Sequence, residues 1–291
     1  MRTRRRIAAG CRTPAFSLLE VLVAMSVLSI LLVLLLSVTN NASKLWRANE
    51  NRVDSYREAR AAINILAHDL GSLYASTNTA FFAITPDEGT DSDLPSVKTG
   101  TSKDGMNGEF FFLTALPADA QEAGKNKSDL CTVGYFLAFD KTSLTGKGTS
   151  SYNLYRYFRS SDDTFTALQA GKPFDGITTD TAPTGDTVEV LAKNITGFKV
   201  EPYTIVPPAG PNPTPTKELT AFRKSATTPL PDVVEIKIKA INNDTAKRFG
   251  DNQGAWEADS PSKDQNERTF TTRIYLPGAA TVRNSSSSSN P

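Results

Sequence analysis

Histidine and cysteine are scarce in this sequence of 291 residues, which has one histidine, His68, and two cysteines, Cys11 and Cys131. Zinc sites need several nitrogen or sulfur ligands, so we expect no such site. His68 and Asp69 are adjacent, so on a helix they would point about 100° apart. No G-x-S-x-G nucleophile motif and no G-x-x-x-x-G-K-[S/T] phosphate loop occurs. We therefore expect no catalysis, no metal and no cofactor.

Basic charge is concentrated at the N-terminus. Residues 1–15 contain five arginines and no acid, so removing them leaves 27 of the 32 basic residues against 31 acidic ones, a net charge of −4. Nucleic-acid binding through bulk electrostatics needs a basic face. We therefore expect no nucleic-acid partner. Cys131 opens the apolar run 131–139, where a small buried hydrophobe is favoured over a reactive thiol.

A long apolar run extends from Leu18 to Val38 and is interrupted by Glu20 and three serines. Its 21 residues make about 30 Å of helix, the thickness of a bilayer core. The basic segment before it predicts a cytoplasmic N-terminus, with the remainder outside. A secretory signal has a shorter apolar region, followed by its small-residue cleavage site. Here the small residue, Ala15, comes before the run.

The segment Ala15-Phe16-Ser17-Leu18-Leu19-Glu20 resembles the prepilin processing motif. The resemblance implies that a prepilin peptidase cuts between Ala15 and Phe16 and methylates the new terminal Phe16. The family usually has glycine before the cut, and we expect Ala15 to permit processing, at a lower rate. The resemblance also implies that Glu20 meets the N-terminal amine of a neighbouring subunit and sets the register of assembly. On position alone, Glu20 could instead extend to the lipid headgroups.

Beyond the apolar run a helical pattern continues to about Tyr74, with Gly71 as a stop signal. Apolar residues recur every three or four positions, which predicts one buried helix face: Val53, Tyr56, Ala59, Ile63, Leu66, Leu70 and Leu73. Strand-like runs follow, at 109–113, 131–139, 152–159, 188–192, 195–203, 233–240 and 269–276. The pattern predicts an α+β protein.

Three stretches predict irregular structure. Residues 76–108 are polar, and their acidic run 87–93 could be a solvated loop or, less favoured, a Ca²⁺ loop. Six prolines between Glu201 and Thr216 predict a loop or stiff spacer. The serine-rich end, 283–291, is predicted to be disordered.

The order of short motifs resembles the J-type minor pseudopilins of type II secretion. These motifs are Asp69-Leu70, Leu154-Tyr155-Arg156, Val188-Glu189-Val190-Leu191, Leu230-Pro231-Asp232 before an alternating strand, and a closing Thr-Phe-x-Thr strand. The resemblance implies a globular domain with two sheets, on which the long helix packs. The leader is also similar to prepilin-like proteins of Verru/Chthon-type gene cassettes.

We therefore predict a basic leader at 1–15, a transmembrane helix at 16–38, its periplasmic continuation at 39–75, a β-rich domain at 76–282 and a tail at 283–291. The predicted function is a structural pilin-like subunit, a minor pseudopilin, of a type II secretion or type IV pilus-like assembly. Its partners would be prepilin peptidase, other pilin-like subunits and the bacterial inner membrane, with the globular domain in the periplasm. The alternative is a signal-anchored periplasmic binding module that does not polymerise.

Overall fold

A computed structural model describes residues 17–74, 82–84, 108–116, 128–140, 150–170, 174, 186–206, 216–219, 231–258 and 261–276. The chain divides into two compact units, Met1–Glu50 and Asn51–Pro291. The predicted leader at 1–15, the acidic run at 87–93 and the serine-rich tail lie outside the described residues.

One helix, α1, extends from Leu18 to Gly71, 54 residues without a break. Gly71 is its last residue, as predicted, and backbone bonds from Ser72 to Asp69 and from Leu73 to Leu70 close the final turn. Continuity follows from the sequence, because no proline occurs in this range. The predicted long N-terminal helix is confirmed.

The remainder of the described chain forms two antiparallel sheets. The first has five strands in chain order, and the second has the order β7-β6-β8-β9. The strands of the first sheet are β1 Phe82–Ile84, β2 Glu109–Ala115, β3 Leu130–Asp140, β4 Ser151–Arg159 and β5 Asp186–Lys193. Those of the second sheet are β6 Ile195–Val206, β7 Thr216–Leu219, β8 Val233–Ile241 and β9 Glu267–Tyr275. The predicted α+β class with two sheets is confirmed.

All seven predicted strands are present, whereas the short elements were missed. The missed elements are the three- and four-residue strands β1 and β7 and the helices α2 Ser161–Gln169, α3 Asn243–Phe249, α4 Gln253–Glu257 and α5 Pro261–Asn266. The prediction of a loop or spacer from residue 201 is wrong at its start, because β6 continues through Pro202 to Val206. Pairing with β7 begins only at Tyr203. Pro202 therefore lies just beyond the end of β7, where a missing backbone donor is tolerated.

The main core of the larger unit is shared by α1 and both sheets. The helix contributes Ala59, Ala62, Leu66 and Leu70, each at most 1% exposed. Their spacing of three and four residues places them on one face. They share one apolar cluster with alternate residues of β2, β3, β6 and β8. The predicted helix stripe is confirmed except at Val53, which is 44% exposed.

A second, smaller aromatic cluster lies on the other face of the first sheet. Phe110 and Phe112 belong to the main core, whereas Phe111 between them belongs to this second cluster, because side chains alternate along a strand. The second cluster is formed by Phe111, Phe136, Tyr155, Tyr157 and Phe174. Both faces of the first sheet are thus covered.

Candidate functional site

The structure places Glu20, the predicted register residue, in the first turn of α1. Its backbone N–H donates to the side-chain oxygen of Ser17 at 3.2 Å and to the Ser17 carbonyl at 3.0 Å. Ser17 is therefore the helix N-cap. The Glu20 side chain is exposed. Ala15 and Phe16, the predicted processing residues, lie outside the described residues.

The N-cap role of Ser17 was missed, although the sequence contains its signal. Ser17-Leu18-Leu19-Glu20 has the S-x-x-E spacing of a capping box immediately before an apolar run. The acidic side chain at the third helical position also complements the positive end of the helix dipole. The helix thus begins two residues after Phe16, with Ser17 between them as its cap.

The apolar segment Leu18–Trp46 is long and apolar enough to cross a membrane. Its 29 residues exceed the predicted span, which ended at residue 38, and every one is exposed in the isolated chain. Hydroxyl groups within it are satisfied by the helix itself: Ser26, Ser29 and Thr39 donate to carbonyls three or four residues earlier, each at 2.8 Å. Such internal bonding removes the need for water. Glu20 is the only acid in the segment.

A buried polar junction lies in the larger unit, where α1 ends. Asp69, in the last turn, is 2% exposed. Its Oδ2 accepts hydrogen bonds from Arg156 Nε at 2.8 Å and from the Tyr135 hydroxyl at 2.5 Å. Arg156 extends to Glu189 of β5 at 3.2 Å, an exposed partner. The junction therefore connects the helix to three strands of the first sheet.

Backbone contacts complete this connection. The Thr114 hydroxyl donates to the Asp69 carbonyl at 2.9 Å, and that carbonyl also accepts from the Ser72 N–H at 3.2 Å. The Tyr74 N–H donates to the Leu113 carbonyl, and the Ala115 N–H donates to the Ser72 carbonyl. The chain leaving α1 therefore pairs directly with β2.

The surroundings of the junction favour the ionised form of Arg156 and the neutral form of Tyr135. Burial alone would lower the pKa of Arg156, but its hydrogen bond and charge interaction with Asp69 raise it overall. Burial and the neighbouring Asp69 carboxylate raise the pKa of Tyr135. Tyr135 therefore remains a hydrogen-bond donor and Arg156 a cation at any physiological pH. The hydrogen bonds of this arrangement hold the end of α1 to the first sheet.

The remaining candidate residues from the sequence are Cys131 and His68. Cys131 is buried, as predicted, and burial raises the pKa of its thiol to about 12. His68 is exposed on α1, whereas its neighbour Asp69 is buried. Within the described ranges, no group of three or more histidine, cysteine, aspartate or glutamate side chains could hold a metal ion.

Asp232, from the Leu230-Pro231-Asp232 motif, makes hydrogen bonds to β6 and to the end of β9 in the second sheet. Its carboxylate accepts from the Ile205 N–H at 2.6 Å, and its own N–H donates to the Tyr203 carbonyl at 2.9 Å. Its carbonyl accepts from the Leu276 N–H at 2.9 Å. Asp232 therefore joins β6, the start of β8 and the end of β9.

Models of known protein families gave no match to this chain, and no curated protein proved similar to it. The chain has an N-terminal apolar helix followed by a β-rich domain, an order of elements consistent with a pilin-like fold.

Proposed function

We propose that this chain is a structural pilin-like subunit of the minor pseudopilin type, held in a bacterial inner membrane by the first part of α1 and assembled through that helix. The observation that carries the proposal is the helix start. A capped helix begins at Leu18, directly after the Ala15-Phe16 sequence, and continues unbroken to Gly71. In such a subunit the helix that anchors the chain is also the helix on which the globular domain is built.

The buried junction supports the same function. Assembly through a helix transmits force and position to the globular domain only if the helix is fixed to that domain. Asp69, Arg156 and Tyr135 make this attachment with hydrogen bonds at the final helical turn, and the apolar face of α1 adds packing in the main core. A helix that served only as a tether would need neither these hydrogen bonds nor this packing.

The free-energy cost of placing the Glu20 carboxylate in a membrane supports a role for this residue in assembly. A carboxylate in a membrane helix is disfavoured by about 2.5–3.5 kcal/mol at the bilayer centre, so such groups usually have a partner. Cleavage before Phe16 would create a positive amine, and the amine of a neighbouring subunit would neutralise Glu20. Orientation with the arginine-rich end in the cytoplasm places the β-rich domain in the periplasm.

The rival function is a signal-anchored binding module, because an N-terminal apolar helix also serves as a simple anchor. The two proposed functions differ in whether the chain co-assembles with pilin-like subunits. Full-length chain with Glu20→Ala or Glu20→Gln should insert into membranes like the wild type, yet crosslink to co-expressed pilin-like subunits several-fold less. Val21→Ala is the matched control, because it changes a neighbouring helical residue without a charge. Equal crosslinking of the wild type and both Glu20 variants would contradict the register role of Glu20, whereas no crosslinking of any chain would favour the binding module.

A further inference from the structure

Glu109 is a buried carboxyl group that the proposed function does not use. It is the first residue of β2 and pairs in register with Phe136 of β3. Glu109 is 5% exposed, and within the described part of the chain its Oε2 has no hydrogen-bond partner. An ionised carboxylate is strongly disfavoured in such a place, because burial removes most of the water around its charge and no hydrogen bond from the described residues reaches Oε2.

The surroundings of Glu109 are aromatic. Alternation along β2 puts Glu109 on the same face as Phe111, which belongs to the second aromatic cluster. Its cross-strand neighbour Phe136 stacks on Tyr155, with ring centroids 5.3 Å apart. These rings provide no acceptor or donor for the carboxyl group at the start of the strand.

The charged groups on this face of the sheet are distant. Asp140 lies four residues beyond Phe136 along β3, and Arg159 pairs with Thr132, four residues in the other direction. Four residues of strand span about 13 Å. Asp140 accepts from Tyr155, and Arg159 lies over the Tyr157 ring.

Among the described residues, the other elements near Glu109 do not supply a counter-charge. Strand β1 consists of Phe82, Ala83 and Ile84, none of which ionises. On β6, Lys199 pairs with Glu201 at 2.9 Å. The acids of α2, Asp162 and Asp163, belong to the helix that packs at the Thr132 end of β3. Burial accordingly raises the pKa of Glu109 from 4.5 to about 8.

The residue before Glu109 connects the two sheets. The Gly108 N–H donates to the carbonyl of Phe198 on β6 at 2.6 Å. The approach is close, because a Cβ at position 108 would lie 2.9 Å from that carbonyl oxygen. The start of β2 is therefore held by β1 and β3 in the first sheet and by β6 of the second.

We propose that Glu109 is a proton-dependent latch: the protonated side chain permits the buried, closed position of the start of β2 between the two sheets, and ionisation favours the release of that segment. Opening lets water reach the carboxylate, so the open form ionises near the ordinary pKa of 4.5 and the closed form near 8. Stability of this end of β2 is then fully present below pH 4.5 and is lost as the pH rises toward 8. The latch does not depend on the proposed function.

Hydrogen exchange of the full-length chain in detergent micelles tests the latch. After correction for intrinsic exchange, the opening constant of a peptide covering 108–116 should rise by roughly 50- to 100-fold between pH 5.5 and 7.5 in the wild type. Glu109→Gln cannot ionise and should show no rise. Asp251→Asn, an exposed acid of the same unit, should behave like the wild type.

Two outcomes would overturn the latch. One is a wild-type opening constant that does not change with pH, a result that needs no variant. The other is a rise of equal size in Glu109→Gln. Should the amide variant fold poorly, Glu109→Leu replaces the carboxyl with an apolar side chain of similar reach, and it too must be independent of pH.

Discussion

Asp69, which is buried, and Arg156, whose side chain is 15% exposed, form an ion pair with 2.8 Å between Oδ2 and Nε that joins the last turn of the long helix to the middle of β4. The two residues are 87 positions apart in sequence. Both belong to short motifs that the sequence analysis singled out, and the fold brings them into direct contact. The pair lies at the C-terminal end of the long helix, where the chain passes into the first sheet.

Breaking this pair should destabilise the larger unit strongly. Arg156→Met leaves the Asp69 carboxylate buried with only the Tyr135 hydroxyl, and we expect a loss of about 3–5 kcal/mol in the free energy of unfolding. Urea unfolding of the full-length chain in detergent, followed by fluorescence of the buried Trp256, gives the value. Glu189→Gln removes only an exposed partner and should cost under about 1 kcal/mol.

The double variant Asp69→Leu with Arg156→Met sharpens this test. Since neither charge then remains buried alone, it should be more stable than Arg156→Met. If Arg156→Met costs no more than Glu189→Gln, the pair does not attach the helix to the sheet.

Gly134 should not tolerate a side chain, because Phe111 of the adjacent strand lies over it. A Cβ at position 134 would be 2.1 Å from Phe111 Cδ1, and that ring is fully buried beside Tyr157. We expect Gly134→Ala to cost about 1–3 kcal/mol. In Gly71→Ala, a Cβ meets nothing within 4 Å, so its effect should be within about 1 kcal/mol of zero. Thermal unfolding of both variants compares them directly, and equal midpoints would contradict the packing.

Glu201, on the outer face of the second sheet, should make the free energy of unfolding decrease at acidic pH. Burial alone would raise the pKa of Glu201, but hydrogen bonds from Lys237 and Lys199 lower it to about 2. Because the fold favours the ionised form, the contribution is present above pH 4.5 and is lost as the pH falls toward 2. Urea midpoints between pH 6 and 2 should therefore fall less steeply for Glu201→Gln than for the wild type. Parallel curves would show that Glu201 contributes nothing.

Processing should depend on the residue before Phe16. If Ala15 is a slower substrate than the usual glycine, Ala15→Gly should be cut several-fold faster by co-expressed prepilin peptidase. Ala15→Leu, whose side chain is bulky, should be cut very slowly. Pulse-labelling and gel mobility give the rates, and an inactive peptidase is the control. Identical rates for all three chains would remove Ala15 from the recognition site.

Periodicity predicted most of the fold. Apolar and polar residues alternate in β8, and apolar residues recur every three or four positions on α1. Both patterns predicted one buried face, and the structure buries those faces. The strands β1 and β7 are too short for a periodic signal. The strand-like run predicted at 195–203 already contained Pro202, and the position of β7 explains why a proline is accepted there.

The candidate site was less predictable. The role of Ser17 could have been identified from its spacing to Glu20, whereas the contact of Asp69 with Arg156 depends on the tertiary arrangement of distant segments. Glu109 begins an apolar run and gives no local sign that its carboxyl group will lack a partner in the described structure. The protonation of a buried group depends on what surrounds it.

The mass of the N-terminal peptide tests the central claim most directly. The chain should be purified from membranes of cells that contain an active prepilin peptidase, and from matched cells in which that peptidase is inactive. The proposed function predicts a peptide that begins at methylated Phe16 in the first case and retains the leader in the second. A chain that keeps residues 1–15 in both preparations, or that is cut after the apolar segment, would contradict it.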